Sequence, residues 1–227
     1  MKLLAIETAT EACSASLLIN GVMSNRYEVA PRRHTQLILS MCEALIAEAE
    51  IVLSQLDAVA FGCGPGSFTG VRIAAGVVQG IAFAWDLPVL PVSTLATLAQ
   101  EVIEVEKKPK VLAAIDARMS EVYWGYYRCD TQGLASLDGT EGVGRPADLP
   151  LRSGSWFGAG SGWQAYSEVL EQKLGKALIG NDETLLPKAQ FVVSLASAMY
   201  ERGETVTAER ALPVYLRDNI AKKPSRS

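Results

Sequence analysis

Histidine occurs once in this 227-residue chain, as His34, and that count alone excludes a multi-histidine metal centre. The four cysteines, Cys13, Cys42, Cys63 and Cys129, form no CxxC pair, so the usual zinc ligands are missing as well. Nothing after Met1-Lys2 resembles a secretory leader, and the expected compartment is the reducing cytoplasm. Positive charge is also scarce. Lysine and arginine number 21 against 25 acidic residues, a net charge of −4, which suits the chain poorly to holding a nucleic acid unaided. No apolar run reaches the ~20 residues that a bilayer-spanning helix needs. The length allows one large domain or two small ones, with an ample core.

What the chain does have is concentrated between Phe61 and Ala84, FGCGPGSFTGVRIAAGVVQGIAFA. A short buried strand, Leu56 to Phe61, leads into a Gly-rich turn, and a helix follows from about Gly70. Glycines permit positive φ and close backbone approach, and Pro65 fixes one φ. Ser67 or Thr69 can cap the helix. The turn residues Gly64, Gly66, Ser67, Thr69 and Gly70 would aim free N–H groups from a positive helix end, an arrangement suited to an anion. Neither named phosphate motif is satisfied. The stretch holds no lysine for a Walker loop, and Ser67 stands where the dinucleotide fingerprint needs its third glycine. The helix itself is apolar nearly all round, with only Arg72 and Gln79 strongly polar, so it must be covered on several sides. Gly76, Gly80 and Ala84 fall four apart and form a smooth groove.

Around this centre the chain reads as strands and helices in a repeated order. Lys2 to Ile6 is a strand ending at Glu7, Cys13 to Ile19 a second, and Val22 to Val29 a third, with a turn at Asn20-Gly21. A helix over Gln36–Glu50 carries a core stripe of Leu37, Ile38, Met41, Cys42, Leu45, Ile46 and Ala49. Leu39 and Ala47 interrupt its polar side, where Glu43 also lies, and suggest a second contact surface. His34 at the helix entrance reads as a surface or capping residue. Ser93-Thr94 caps a helix from Leu95 to about Val105, and the charged, proline-containing Glu104–Pro109 reads as a hinge. Beyond it the opening pattern returns, with Leu112-Ala113-Ala114-Ile115-Asp116 matching Leu3 to Glu7 and the two acids 109 positions apart. Residues 131–155 are expected to hold little regular structure. A second strand-to-helix turn contains Gly158 and Gly160, and helices follow over Trp163–Leu174 and Lys188–Arg202. The basic end, Lys222 to Ser227, reads as a solvated tail.

Two strands joined by a turn headed by an acid resemble the phosphate hairpins of the actin/Hsp70/sugar-kinase superfamily. Gly64-Pro65-Gly66-Ser67-Phe68-Thr69-Gly70-Val71-Arg72 resembles, more narrowly, the signature of the TsaB (YeaZ) family. Asp116 to Tyr123 resembles that family's second signature and Ala211 to Arg217 its ending, so the likeness spans the chain. It implies an α/β, actin/Hsp70-like (ASKHA) duplicated ribonuclease-H-like fold with a shortened second lobe. The lobes would be residues 1–106 and 107–227, with the tail returning to the first. It implies no catalysis and no metal. Such proteins scaffold the TsaD paralogue, which transfers threonylcarbamoyl to N6 of adenine-37 in tRNAs reading ANN codons, with TsaE as the ATPase of the assembly. TsaD carries His-x-x-x-His in a helix where this chain reads Val92 to Leu98 without histidine. The resemblance further implies a homodimer when alone, tRNA approached only indirectly, no membrane, and nucleotide only within the complex. Glu7, Asp116, Arg118, Gly158 and Gly160 would line a vestigial nucleotide cleft. Leu39, Glu43, Ala47, Arg72, Ala75, Gly76, Gln79, Gly80 and Phe83 would form the partner interface. The alternative is a stand-alone ATP-dependent phosphotransferase, which needs Glu7 and Asp116 to hold Mg²⁺ around a triphosphate.

Overall fold

The first strand has to be central, because Leu3, Leu4, Ala5 and Ile6 are apolar on both faces and all are fully buried. In a computed structural model describing residues 1–217, β1 (Lys2–Glu7) lies antiparallel to β2 (Ala12–Ile19) on one side. On its other side it lies parallel to β4 (Ala58–Gly64). β3 (Val22–Val29) and β5 (Val89–Ser93) close the edges, in the order β3-β2-β1-β4-β5. The hairpin between β2 and β3 turns through Asn20 at φ 50° and Gly21 at φ 88°. A two-residue turn with both φ positive matches the right-handed twist of the flanking strands.

The second sheet contains β6 (Lys110–Arg118), β7 (Glu121–Cys129), β8 (Ala135–Leu137), β10 (Trp156–Ala159) and β11 (Leu178–Asp182). A short strand, β9 (Gly142–Gly144), pairs with β7 beside it. Read from its other edge and with β9 set aside, its order, β8-β7-β6-β10-β11, repeats that of the first sheet with β6 in the place of β1. The duplication signalled by two acid-ended strands is thus a duplication of topology. Residues 131–155, expected to be irregular, supply two strands and a 3₁₀ turn at Pro146–Asp148. They stand where the first half has a helix, and the second lobe is shortened there.

Among the described residues, five α-helices cover these sheets. α1 (His34–Glu48) and α2 (Phe68–Trp85) pack on the outer face of the first sheet, against Leu4, Ile6, Leu17 and Phe61. α5 (Ala189–Glu201) covers its other face through Val192, Val193 and Ala196. α3 (Thr94–Val105) packs on the second sheet through Leu98, Ala99 and Val102. α4 (Ser161–Leu174) covers that sheet's far face, where the indole N–H of buried Trp163 donates to the Leu112 carbonyl at 3.2 Å. α2 begins two residues earlier than expected, because the capping residue is Ser67 and the first turn follows it directly. With 18 residues and mean hydropathy 1.3, α2 has the length and composition to cross a bilayer. Here one stripe, Val71, Ala74, Val78 and Ala82, packs on the first sheet instead. The basic segment from Lys222 onward lies outside the described residues.

Candidate partner face and interlobe cleft

The Gly-rich turn is built around close contact with the first hairpin. A Cβ on Gly70 would lie 2.0 Å from the Thr8 carbonyl oxygen, and one on Gly66 2.4 Å from that of Ala9. Thr8 Oγ1 donates to the Gly70 carbonyl at 2.8 Å, and the Ser67 N–H donates to Ala9 O at 2.7 Å. Ser67 Oγ accepts from the Gly70 N–H at 3.4 Å, a long cap bond. Gly64 has φ 105° and faces the C-terminal segment, whose Val214 N–H donates to Cys63 O at 2.8 Å. Thr69 is exposed. These glycines serve backbone packing, and the Ser67 N–H is already engaged within the chain.

The two hairpin acids occupy unlike surroundings. Glu7 is fully buried, with its carboxylate against Gly62, and does not line the cleft. Its Oε1 accepts from the Ala9 N–H at 2.6 Å, and Thr94 Oγ1 donates to Oε2 at 3.3 Å. Burial outweighs these bonds and raises its pKa to about 7. Asp116 does line the cleft, and Oδ2 accepts from Arg118 Nη1 at 2.8 Å while Oδ1 accepts from Tyr166 OH at 3.2 Å. Arg118 also lies 3.6 Å from Glu11, tying one hairpin to the other across the lobes. Gly158 and Gly160 likewise do not line the cleft. A Cβ on the first would lie 2.3 Å from the Trp163 ring, and one on the second 2.7 Å from Ala114 O, so both seat α4 on its sheet. Of the five residues assigned to a vestigial cleft, Asp116 and Arg118 face it and the other three are packed behind its walls.

The cleft has a volume of about 1840 Å³, between Thr10, Gly66 and Phe68 of the first lobe and Asp116, Arg118 and Ser161 of the second. Val214, Tyr215 and Arg217 of the C-terminal segment form part of its wall. Arg217 reaches across to the second lobe, donating to Ala117 O at 3.1 Å and to the Glu121 carboxylate. A polar cluster that sequence reasoning missed joins β5 of the first sheet to β7 of the second. The Glu141 carboxylate accepts from Ser93 Oγ and Tyr127 OH, and burial raises both its pKa and that of Tyr127. Ser93 was legible only as the cap of α3, a role it also fills through the N–H groups of Leu95 and Ala96. No group of three or more His, Cys, Asp or Glu residues able to hold a metal occurs among the described residues.

The outward face of α1 and α2 is the other candidate. Leu39 is 52% exposed and Phe83 75%, while Glu43, Ala47 and Arg72 are also open to solvent. A Cβ on Gly76 or Gly80 would meet nothing within 4 Å, so the groove is open. Ala75 departs from this face: it is 4% exposed and belongs to the core stripe beside Ala74 and Val78. Gln79 is half-buried and donates to Ala211 O at 3.1 Å. The Arg72 guanidinium lies 3.2 Å from the Phe68 ring centroid and 4.9 Å from that of Tyr215. His34 is buried rather than at the surface, its Nε2 3.2 Å from Ala12 O, because the helix entrance packs against β2.

Two sheets of one repeated topology facing each other across a cleft define a two-lobed, actin-like α/β protein. Residues 21–225 match the family described as TsaD, tRNA N6-adenosine threonylcarbamoyltransferase. The chain is 44% identical over 227 residues to the tRNA threonylcarbamoyladenosine biosynthesis protein TsaB of Escherichia coli, covering 98% of this chain and 97% of that one. It is 41% identical to TsaB of Haemophilus influenzae, covering 98% and 96%. The solved structure of YeaZ from Pseudomonas aeruginosa superposes with a TM-score of 0.89 at 51% identity, covering 95% of this chain and 99% of that one. The chain belongs to the TsaB (YeaZ) family.

Proposed function

We propose that this chain takes part in forming N6-threonylcarbamoyladenosine in tRNA as a non-catalytic subunit. Its task is to bind and activate a TsaD-type paralogue, which carries threonylcarbamoyl to N6 of adenine-37. The observation that carries the scaffold role is the open α1/α2 face, where Leu39 and Phe83 are exposed beside a glycine groove that none of the described residues fills. A paralogue sharing the fold can present equivalent helices to it. In the assembled complex TsaE supplies the ATPase, any nucleotide is held only there, and tRNA is approached through the partner, in the cytoplasm.

The placement of Glu7 supports the non-catalytic reading. A phosphotransferase would need Glu7 and Asp116 to meet at one metal, whereas Glu7 is buried behind the cleft wall and Asp116 is paired with Arg118. The test is reconstitution. Modified adenosine should form when the TsaD paralogue and TsaE act with this chain, and only weakly when it is left out. Equal yields with and without the chain would end the proposal, as would magnesium-dependent ATP turnover by the isolated chain that Asp116→Ala abolishes.

A further inference from the structure

The end of the second sheet remote from the cleft carries cations with little to neutralise them. β6, β10 and β11 all start there and β7 ends there, so Lys110, the first residue of β6, lies directly opposite Arg128 of β7. Like charges set opposite each other on a sheet repel. Both cations rest on one indole, with Lys110 Nζ 5.7 Å and Arg128 Cζ 5.2 Å from the Trp156 ring centroid. A third cation joins them from the loop before β10. Arg152 Cζ lies 5.7 Å from the ring of Tyr126, which packs edge-on against Trp156 at 4.7 Å between centroids. The Trp156 indole N–H donates to Arg152 O at 3.3 Å and fixes that loop. Gly154, at φ 110°, lets the loop close on Lys110, since a Cβ there would lie 2.5 Å from Nζ. Lys176 is exposed just before β11 begins, at the same end of the sheet.

Among the described residues, Asp138 is the only acid in ion-pair contact with this group, reaching Arg128 Nε at 2.7 Å and Arg152 Nη1 at 3.5 Å. The rim therefore stays positive in a protein whose net charge is −4. Crowding cations around two rings with a single acid costs repulsion that an outside anion would relieve. Trp156 and Tyr126 are each 1% exposed, so neither ring offers a face for a base to stack on. What the rim presents is spaced positive charge, which holds a phosphate backbone without reading its sequence. Lys110 stands at the opposite end of β6 from Asp116, about 20 Å away at ~3.3 Å per residue, so the rim is separate from the cleft.

We propose that this rim, Lys110, Arg128, Arg152 and Lys176, contacts the sugar-phosphate backbone of the tRNA once the partner holds it. The inference rests on the proposed function and adds to it a direct contact from the second lobe. So few phosphate contacts bind weakly alone, and they count most when the partner supplies the rest. Fluorescence anisotropy of labelled tRNA with the complex of the full chain and its TsaD-type paralogue tests it. Lys110→Gln/Lys176→Gln leaves the Asp138 pairs intact. It should weaken tRNA binding about tenfold and reduce the slope of log affinity against log salt by about 2. Lys176→Gln alone, at an exposed position, should cost about threefold and about 1 in slope, whatever the folding of the double variant. Lys110→Arg/Lys176→Arg should bind as wild type does, because phosphate contact asks only for the charge. Affinity and slope unchanged in the Gln variants would overturn the proposal. So would Gln variants that lost binding to phosphatidylglycerol vesicles while keeping that to tRNA, which would assign the rim to a lipid surface. A wild type unable to bind the paralogue would count against the proposed function and not against the rim. The weak tRNA binding of the isolated chain then reads the rim directly, and the Gln variants should reduce it by the same factors.

Discussion

Glu7 is the residue whose chemistry departs furthest from its free state. Its pKa rises from 4.5 to about 7 because burial removes water from the charged form. Below pH 4.5 the carboxyl is protonated whether the chain is folded or not. Between 4.5 and 7 the unfolded chain gives up the proton while the folded chain keeps it, so rising pH costs stability through that window. Above about 7 both forms are ionised and the slope ends. The loss amounts to roughly 3 kcal/mol at 1.36 kcal/mol per pKa unit. Glu7→Gln keeps an acceptor for the Ala9 N–H and carries no charge, so its stability relative to wild type should grow from pH 4.5 to 7. Urea titrations across that range would show the difference, and parallel curves for the two proteins would contradict it. The acid itself was legible in the sequence as the end of a buried strand. Its burial was not, because the direction of the carboxylate is set by Gly62 on a neighbouring strand and Thr94 on a distant helix.

Among the elements, the Gly-rich turn and α2 separate glycines that pack from glycines that face outward. Gly70→Ala would drive a Cβ into the Thr8 backbone and should destabilise the fold by about 1–3 kcal/mol or more. Gly80→Ala enters open space in a helix interior and should stabilise the protein by about 0.5–1 kcal/mol. Thermal or denaturant unfolding of the two variants measures both signs together, and equal effects would refute the distinction. Strands β1 and β6 were legible as short apolar runs ending in an acid, and their common spacing carried the duplication. β11 was not, since Leu178-Ile179-Gly180-Asn181-Asp182 holds two apolar residues and pairs only because β10 lies beside it. The rotation of α2 was unreadable for a different reason. A helix apolar nearly all round has no polar side to fix its phase, so Ala75 and Gly76 look alike in sequence although one is core and the other open.

Two surfaces divide the labour of the whole molecule, a cleft in which Asp116 is paired with Arg118 while Glu7 lies behind the wall, and a helical face left open. With a net charge of −4, the isolated protein should bind tRNA weakly, with affinity falling steeply as salt rises. Filter binding at two ionic strengths would show this, and tight binding that persisted at high salt would mean a dedicated RNA surface. The central claim is that the α1/α2 face holds the TsaD-type paralogue. Isothermal titration of that paralogue with wild-type protein and with Phe83→Asp, both verified as folded by thermal melting, measures it most directly. The account predicts saturable binding by wild type and at least a hundredfold weaker binding by Phe83→Asp, about 2.7 kcal/mol at 1.36 kcal/mol per tenfold. Undiminished binding by the folded variant would place the partner elsewhere on the molecule and contradict the account.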